Sequence, residues 1–198
     1  MTTSVDFYFD LVSPTAFLAY HRLRQLQEQY DLEVVYKPML LGGVFKSTGN
    51  TTPIAIPAKG KYMLEADIPR FSRRYAVDLN FNPHFPLNSL TMMRGAVAAQ
   101  RLGCADAFIE AGFNAMWQQG KDLGDPAVIV EVLAAAGLDG EAILEATQDP
   151  EVKGALIAFT EEAVARGAFG APTMFVGDEM FFGQDRIDFI EELLAPSP

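Results

Sequence analysis

The chain has 198 residues, 49% hydrophobic and 21% charged, which suits one domain carrying an insertion or two small domains sharing an interface. Its formal charge of -11 argues against a nucleic-acid partner, because phosphate binding needs a basic surface. A single cysteine, Cys104, excludes an intrachain disulfide, and with only two histidines, His21 and His84, a metal centre of thiolate and imidazole is not expected.

The N-terminal "MTTSVDFYFD" lacks the basic-then-apolar order of a secretory signal, and the final "LLAPSP" does not read as a targeting tail. No stretch approaches the about 20 consecutive apolar residues of a membrane span. The expectation is a soluble, cytoplasmic protein with no membrane partner.

Residues 4–10 read as a buried strand rich in aromatic residues. A helix follows, with Ser13 able to cap it and Pro14 at the first helical position, where a missing N–H costs nothing. Ala16, Ala19, Tyr20, Leu23, Leu26 and Tyr30 form its inner face at helical spacing. Residues 32–38 alternate as a second strand. The stretch 39–63, with four glycines and two prolines between 42 and 60, reads as a long functional loop. Helices are expected over 60–76, 87–102, 106–119, 126–137 and 151–166, two of them opening on Asp-Pro pairs. Strands over 173–177 and 179–182, turned at Gly177-Asp178, precede a helix over 185–194. The order is β-α-β, a helical block, then β-β-α: an α/β sheet from the two ends and an all-α insertion between them. Domain limits fall at 1–58 with 167–198, and 59–166.

Four places could carry chemistry. Ser13 stands where a helix N-terminus offers unpaired N–H groups and favours an anion, such as a thiolate. No "G-x-S-x-G" or "S-x-x-K" surrounds it, so a hydrolase is unsupported, and from this fragment alone a plain cap is the commoner role of such a serine. Ala171-Pro172 precedes a strand. X–Pro bonds are mostly trans, but a cis bond here would turn the Ala171 backbone outward to pair with an extended peptide. In "GQDR" (183–186), Asp185 either caps the last helix or, with Gln184, meets the ends of a small zwitterion. Asn50 and Lys59 lie in the glycine-rich loop, which is not a Walker motif, and His84 and Asn88 lie in "FNPHFPLNSL". Lysines in such loops are ordinarily solvated, and a lone histidine in a proline-rich loop is ordinarily structural.

The stretches "DFYFDLVSPTAFLA" (6–19), "GN" (49–50), "PAKGKYM" (57–63), "FPLNSL" (85–90) and "FGAPTMFVGDEMFFGQDR" (169–186) resemble the thioredoxin-fold branch related to bacterial disulfide oxidoreductases. The likeness is to the 2-hydroxychromene-2-carboxylate isomerases and the kappa-class glutathione transferases, and it spans nearly the whole chain. It implies a thioredoxin-like fold in which serine replaces the redox cysteine and the sulfur belongs to bound glutathione. Ser13 would then hydrogen-bond the thiolate, and Ala171, with Pro172 behind it, would pair with the cysteinyl backbone. Gly183, Gln184 and Asp185 would take the γ-glutamyl end. Asn50 and Lys59 would reach glutathione or its glycyl carboxylate, and Asn88, with Lys59, would face a small aromatic carboxylate.

The implied activity is glutathione-dependent cis–trans isomerisation in a homodimer. A kappa-like transferase and a non-enzymatic peptide-binding module are the competing readings. A dithiol oxidoreductase would need two sulfurs, and Cys104 reads as a buried structural residue. One departure stands out: these relatives commonly carry an aromatic residue after Ser-Pro, and this chain has Thr15.

Overall fold

A computed structural model of the chain describes residues 2–195. The reading of the C-terminal tail therefore falls, at 196–198, outside the described residues. The sheet has four strands in the order β2-β1-β3-β4. Strand β1 (Thr3–Phe9) leads into α1 (Pro14–Gln29) and returns as β2 (Leu32–Pro38), which pairs with β1 in parallel, Phe7 opposite Tyr36. Helix α1 is capped by Ser13, whose Oγ accepts the Ala16 N–H at 3.1 Å.

The stretch expected as a loop is largely helical: α2 (Leu41–Thr48), a 3₁₀ turn (Pro53–Ala55) and α3 (Pro57–Tyr62). The glycines misled because three of the four, Gly42, Gly43 and Gly60, lie within helices despite their low helical propensity. Gly49, at φ 70°, is the left-handed residue that stops α2. The helix expected over 60–76 begins earlier and is interrupted. After α3 comes a π-helical turn (Met63–Asp67), then α4 (Ile68–Tyr75). Pro69 has no N–H to give the carbonyl four residues back, which accounts for the widened turn.

Next come α5 (Leu90–Arg101), α6 (Ala105–Trp117), α7 (Pro126–Ala135), α8 (Gly140–Ala146) and α9 (Pro150–Ala165). Asp125 and Asp149 cap their helices as the Asp-Pro pairs suggest, accepting the Ala127 and Glu151 N–H groups at 2.8 and 2.7 Å. Helix α8 has no counterpart in the sequence reading. It is two turns long and capped by Asp139, which accepts the Ala142 N–H at 3.0 Å. Strands β3 (Thr173–Val176) and β4 (Glu179–Phe182) form an antiparallel hairpin around Gly177-Asp178. A 3₁₀ turn (Gln184–Arg186) separates β4 from α10 (Ile187–Leu194). The last helix thus starts later than expected, and Asp185 makes no side-chain cap.

Strand β1 is central and buried on both faces. Phe7 and Phe9 join the main core with Phe17, Phe113 and Trp117, while Tyr8 packs on the other face with Met39, Val44 and Phe175. The main core draws on the sheet and the helical block alike, with the Phe9 and Phe113 rings 5.7 Å apart. Apolar packing is continuous between residues 1–58 with 167–195 and residues 59–166. Cys104 is half-buried and free, packed beside this core.

Candidate active site

The β1–α1 corner is held from several directions. Trp117, wholly buried at the end of α6, donates its indole N–H to the Leu11 carbonyl at 2.8 Å. The Leu11 N–H points to the Met93 sulfur at 3.3 Å, and the Ser13 N–H closes back on the Asp10 carbonyl at 3.0 Å. These bonds present Ser13 at the N-terminus of a 16-residue helix. Its side chain is almost buried, at 4% exposure, yet lines a cavity of about 940 Å³.

Opposite Ser13 is Ala171, whose bond to Pro172 is cis. The Ala171 carbonyl accepts the Thr15 hydroxyl at 3.2 Å and faces Ser13 Oγ at 3.4 Å. Ser13 Oγ and Thr15 Oγ1 are 3.1 Å apart. With the Thr15 proton on the carbonyl and the Ala16 N–H already given to Ser13, the Ser13 proton is the one left to redirect toward a ligand. Thr15 is thus tied into the site backbone.

The cavity gathers the residues singled out from the sequence. Asn50, Lys59, Asn88, Ala171, Gly183, Gln184 and Asp185 line it together with Ser13, and Pro172 sits behind Ala171 as a buried residue outside the lining. They differ in what they have free to offer. Lys59 is exposed and makes no ion pair among the described residues. Asn50 already gives one amide proton to the Phe169 carbonyl at 2.7 Å and accepts the Thr51 N–H at 2.8 Å. Asn88 accepts the Leu90 N–H at 3.0 Å, which leaves its amide protons free. Gln184 is buried, and its carbonyl takes the Tyr75 hydroxyl at 2.7 Å. Asp185 is paired with Arg186, which also lines the cavity.

Sequence reasoning missed several contributors. Asp10 also lines the cavity, and in the sequence it reads only as the end of a strand. Burial raises its pKa from 3.8 to about 6 against the pull of three hydrogen-bond donors. Arg186, and apolar walls from Leu41, Phe45, Ile54, Tyr62, Phe85 and Leu87, complete the surface. The Phe85-Pro86 bond beside those walls is also cis. His84 lies on the surface, 3.6 Å from Asp122 and outside the lining. Among the described residues no group of three or more His, Cys, Asp or Glu side chains is placed to hold a metal ion, and no helix is long and apolar enough to cross a membrane.

Fold and site together define a thioredoxin-fold protein with a serine capping its first helix at the mouth of a large cavity. The DSBA-like thioredoxin domain profile matches residues 4–195. The chain is 33% identical over 196 residues to a 2-hydroxychromene-2-carboxylate isomerase of Sphingobium xenophagum, covering 98% of this chain and 99% of that one. It is 28% identical over 210 residues to glutathione S-transferase kappa 1 of Homo sapiens, covering 97% and 91%. A solved structure of 2-hydroxychromene-2-carboxylate isomerase superposes with a TM-score of 0.86 at 31% identity, covering 96% and 93%. The chain belongs to the DsbA-like thioredoxin family, in the branch of the 2-hydroxychromene-2-carboxylate isomerases and kappa-class glutathione transferases.

Proposed function

We propose that the chain is a glutathione-dependent cis–trans isomerase. Its substrate would be 2-hydroxychromene-2-carboxylate, converted to trans-o-hydroxybenzylidenepyruvate, or a related intermediate of aromatic degradation. The observation that carries the reading is the Ser13 hydroxyl, poised at the N-terminus of α1 opposite the Ala171 carbonyl and opening into one large cavity. The reading includes a cytoplasmic homodimer whose partners are glutathione and a small aromatic carboxylate.

The donor set fits a zwitterionic tripeptide. Hydroxyl and helix N–H groups suit an anionic sulfur, Asp185 suits an ammonium group, and Lys59 suits a carboxylate. The cavity volume of about 940 Å³ is at the upper end for small-molecule sites and leaves room for a second, aromatic molecule. Bound glutathione would supply a thiolate able to add reversibly to a conjugated double bond, so that the bond can rotate before the sulfur departs. The chain's own residues do the rest. Ser13 turns its proton to the sulfur, and the positive end of α1 holds negative charge there. Ala171 pairs with the ligand backbone, Gly183, Gln184 and Asp185 hold the γ-glutamyl end, and Asn50 and Lys59 hold the glycyl end. Asn88 orients the aromatic substrate against Tyr62, Phe85 and Leu87. No redox change is involved, which agrees with a chain containing one cysteine.

The experiment is calorimetry with reduced glutathione on the wild-type protein and Ser13→Ala, together with thiolate absorbance of the complex and turnover of the chromene. Ser13→Ala is expected to lose the thiolate signal and roughly 100-fold or more in turnover, the scale of removing one preorganised donor. Unchanged affinity, signal and turnover would overturn the assignment. A kappa-like transferase is the second reading, favoured by the full-length similarity to the kappa enzymes. Glutathione recovered intact after many turnovers supports the isomerase, and stoichiometric consumption supports the transferase.

A further inference from the structure

Asp10 follows the last residue of β1, three residues before Ser13, and its side chain is fully buried. Its carboxylate takes hydrogen bonds from three separate segments. Oδ1 accepts the Val12 N–H at 3.2 Å, and Oδ2 accepts the Leu41 N–H at 2.9 Å and the Ser89 hydroxyl at 2.9 Å. Each donor begins a different wall of the cavity. Val12 leads into Ser13, Leu41 opens α2 with its lining residues Gly42 and Phe45, and Ser89 closes the lining stretch Phe85–Asn88 before α5. An asparagine could not serve all three. In either amide orientation its own N–H would face a backbone N–H, so only a carboxylate satisfies every donor.

We infer that Asp10 is a positioning residue for the ligand site: as a carboxylate it ties the Ser13 corner, the start of α2 and the start of α5 into one cavity, and as the neutral acid it lets those walls part. In the neutral acid the proton can turn onto Ser89 Oγ, reversing that bond. The Val12 and Leu41 bonds then fall from charge-assisted to ordinary ones, about half as strong. Burial places this change in an accessible range, raising the pKa to about 6. None of Asp10's three partners is charged. The other ionisable residues lining the same cavity are Lys59, Tyr62, Asp67, Asp185 and Arg186, and His84 lies in the loop ahead of Ser89. The consequence for glutathione rests on the function proposed above, so the test has one arm that needs no ligand.

In that arm, amide hydrogen exchange is measured at about pH 5 and about pH 7.5 and corrected for intrinsic rates. Protection of the Val12, Leu41 and Val44 amides is expected to be about tenfold higher at the upper pH. Asp10→Asn should show the lower protection at both values. Ser89→Ala removes a donor that favours the carboxylate, so it should move the midpoint upward. The second arm titrates S-methylglutathione, which has no ionisable thiol. Affinity is expected to be about tenfold weaker at the lower pH in the wild type and in the control His84→Gln, and flat in Asp10→Asn. Wild-type protection that does not change with pH, or an Asp10→Asn protein that keeps the step, overturns the inference. Stepped protection with no binding of S-methylglutathione at either pH supports Asp10 as the tie and overturns the glutathione reading instead.

Discussion

Gly183 holds φ 94° and ψ 154°, a region open almost only to glycine. A Cβ built there would lie 2.7 Å from Asp185 Oδ1. The residue therefore fixes where the Asp185 carboxylate stands as well as how the chain leaves β4. Gly183→Ala is expected to cost about 1–3 kcal/mol in urea unfolding and to push Asp185 aside, weakening any ligand that offers it an ammonium group. Stability and affinity equal to wild type would mean the backbone here is relaxed. Ser13 was legible from sequence because its signal is local: a capping side chain followed by proline at the first helical position. At Ala171, Gln184 and Asp185 the local signal is weaker, a proline before a strand and polar residues ahead of the last helix, and the family resemblance is what joins them to Ser13 in one site. Asp10 was not legible as a site residue. Two of its three partners lie 31 and 79 residues away, and an acid at the end of an apolar strand looks the same whether it turns to solvent or into the core.

Helix α2 shows the same difficulty one level up. Its start is served by remote side chains, with Asp10 on the Leu41 N–H and Thr160 Oγ1 accepting the Leu40 N–H at 3.0 Å. Without those partners in view, the segment offers only glycines and a short apolar run, and a loop is the natural reading. The helices opening on Asp125-Pro126 and Asp149-Pro150 carry their caps with them, and both starts were read correctly. Helix α6 brings the helical block to the site, because Trp117 at its end holds the Leu11 carbonyl two residues ahead of Ser13. Its ring also meets Phe81 and Phe85, at 5.9 and 6.1 Å between centroids, on the side of the cavity wall. Trp117→Phe removes the donor and leaves a gap, at an expected cost of about 2–4 kcal/mol in chemical denaturation. If the helices were only an appendage to the sheet, this substitution would leave the exchange rates of the Val12 and Ser13 amides as they are. If they brace the corner, those amides should exchange faster in the variant while the β1–β2 ladder stays protected.

Across the whole molecule, tyrosines join the two parts of the chain. Tyr8 in β1 donates to Glu162 of α9 at 2.6 Å, and Tyr75 at the end of α4 donates to the Gln184 carbonyl at the site. Burial is the main cause raising the pKa of Tyr8, Tyr36 and Tyr75 from 10.0 to about 12, and it raises that of Tyr20 as well. A phenol whose folded pKa exceeds its unfolded value binds its proton more tightly when folded. Its contribution is whole below pH 10 and is lost as pH rises from there toward 12. Four such groups acting together should make alkaline unfolding steep, because each proton released favours the unfolded chain. Their phenolate absorbance at about 295 nm should therefore grow in step with the loss of far-UV circular dichroism, and not before it. Tyr36→Phe should make the transition shallower by removing one linked proton. If the phenolate signal of these four rose near pH 10 with the circular dichroism still native, the rings would be reached by water in the folded state. The sheet and the helical block would then not be sealed against each other by the core they share.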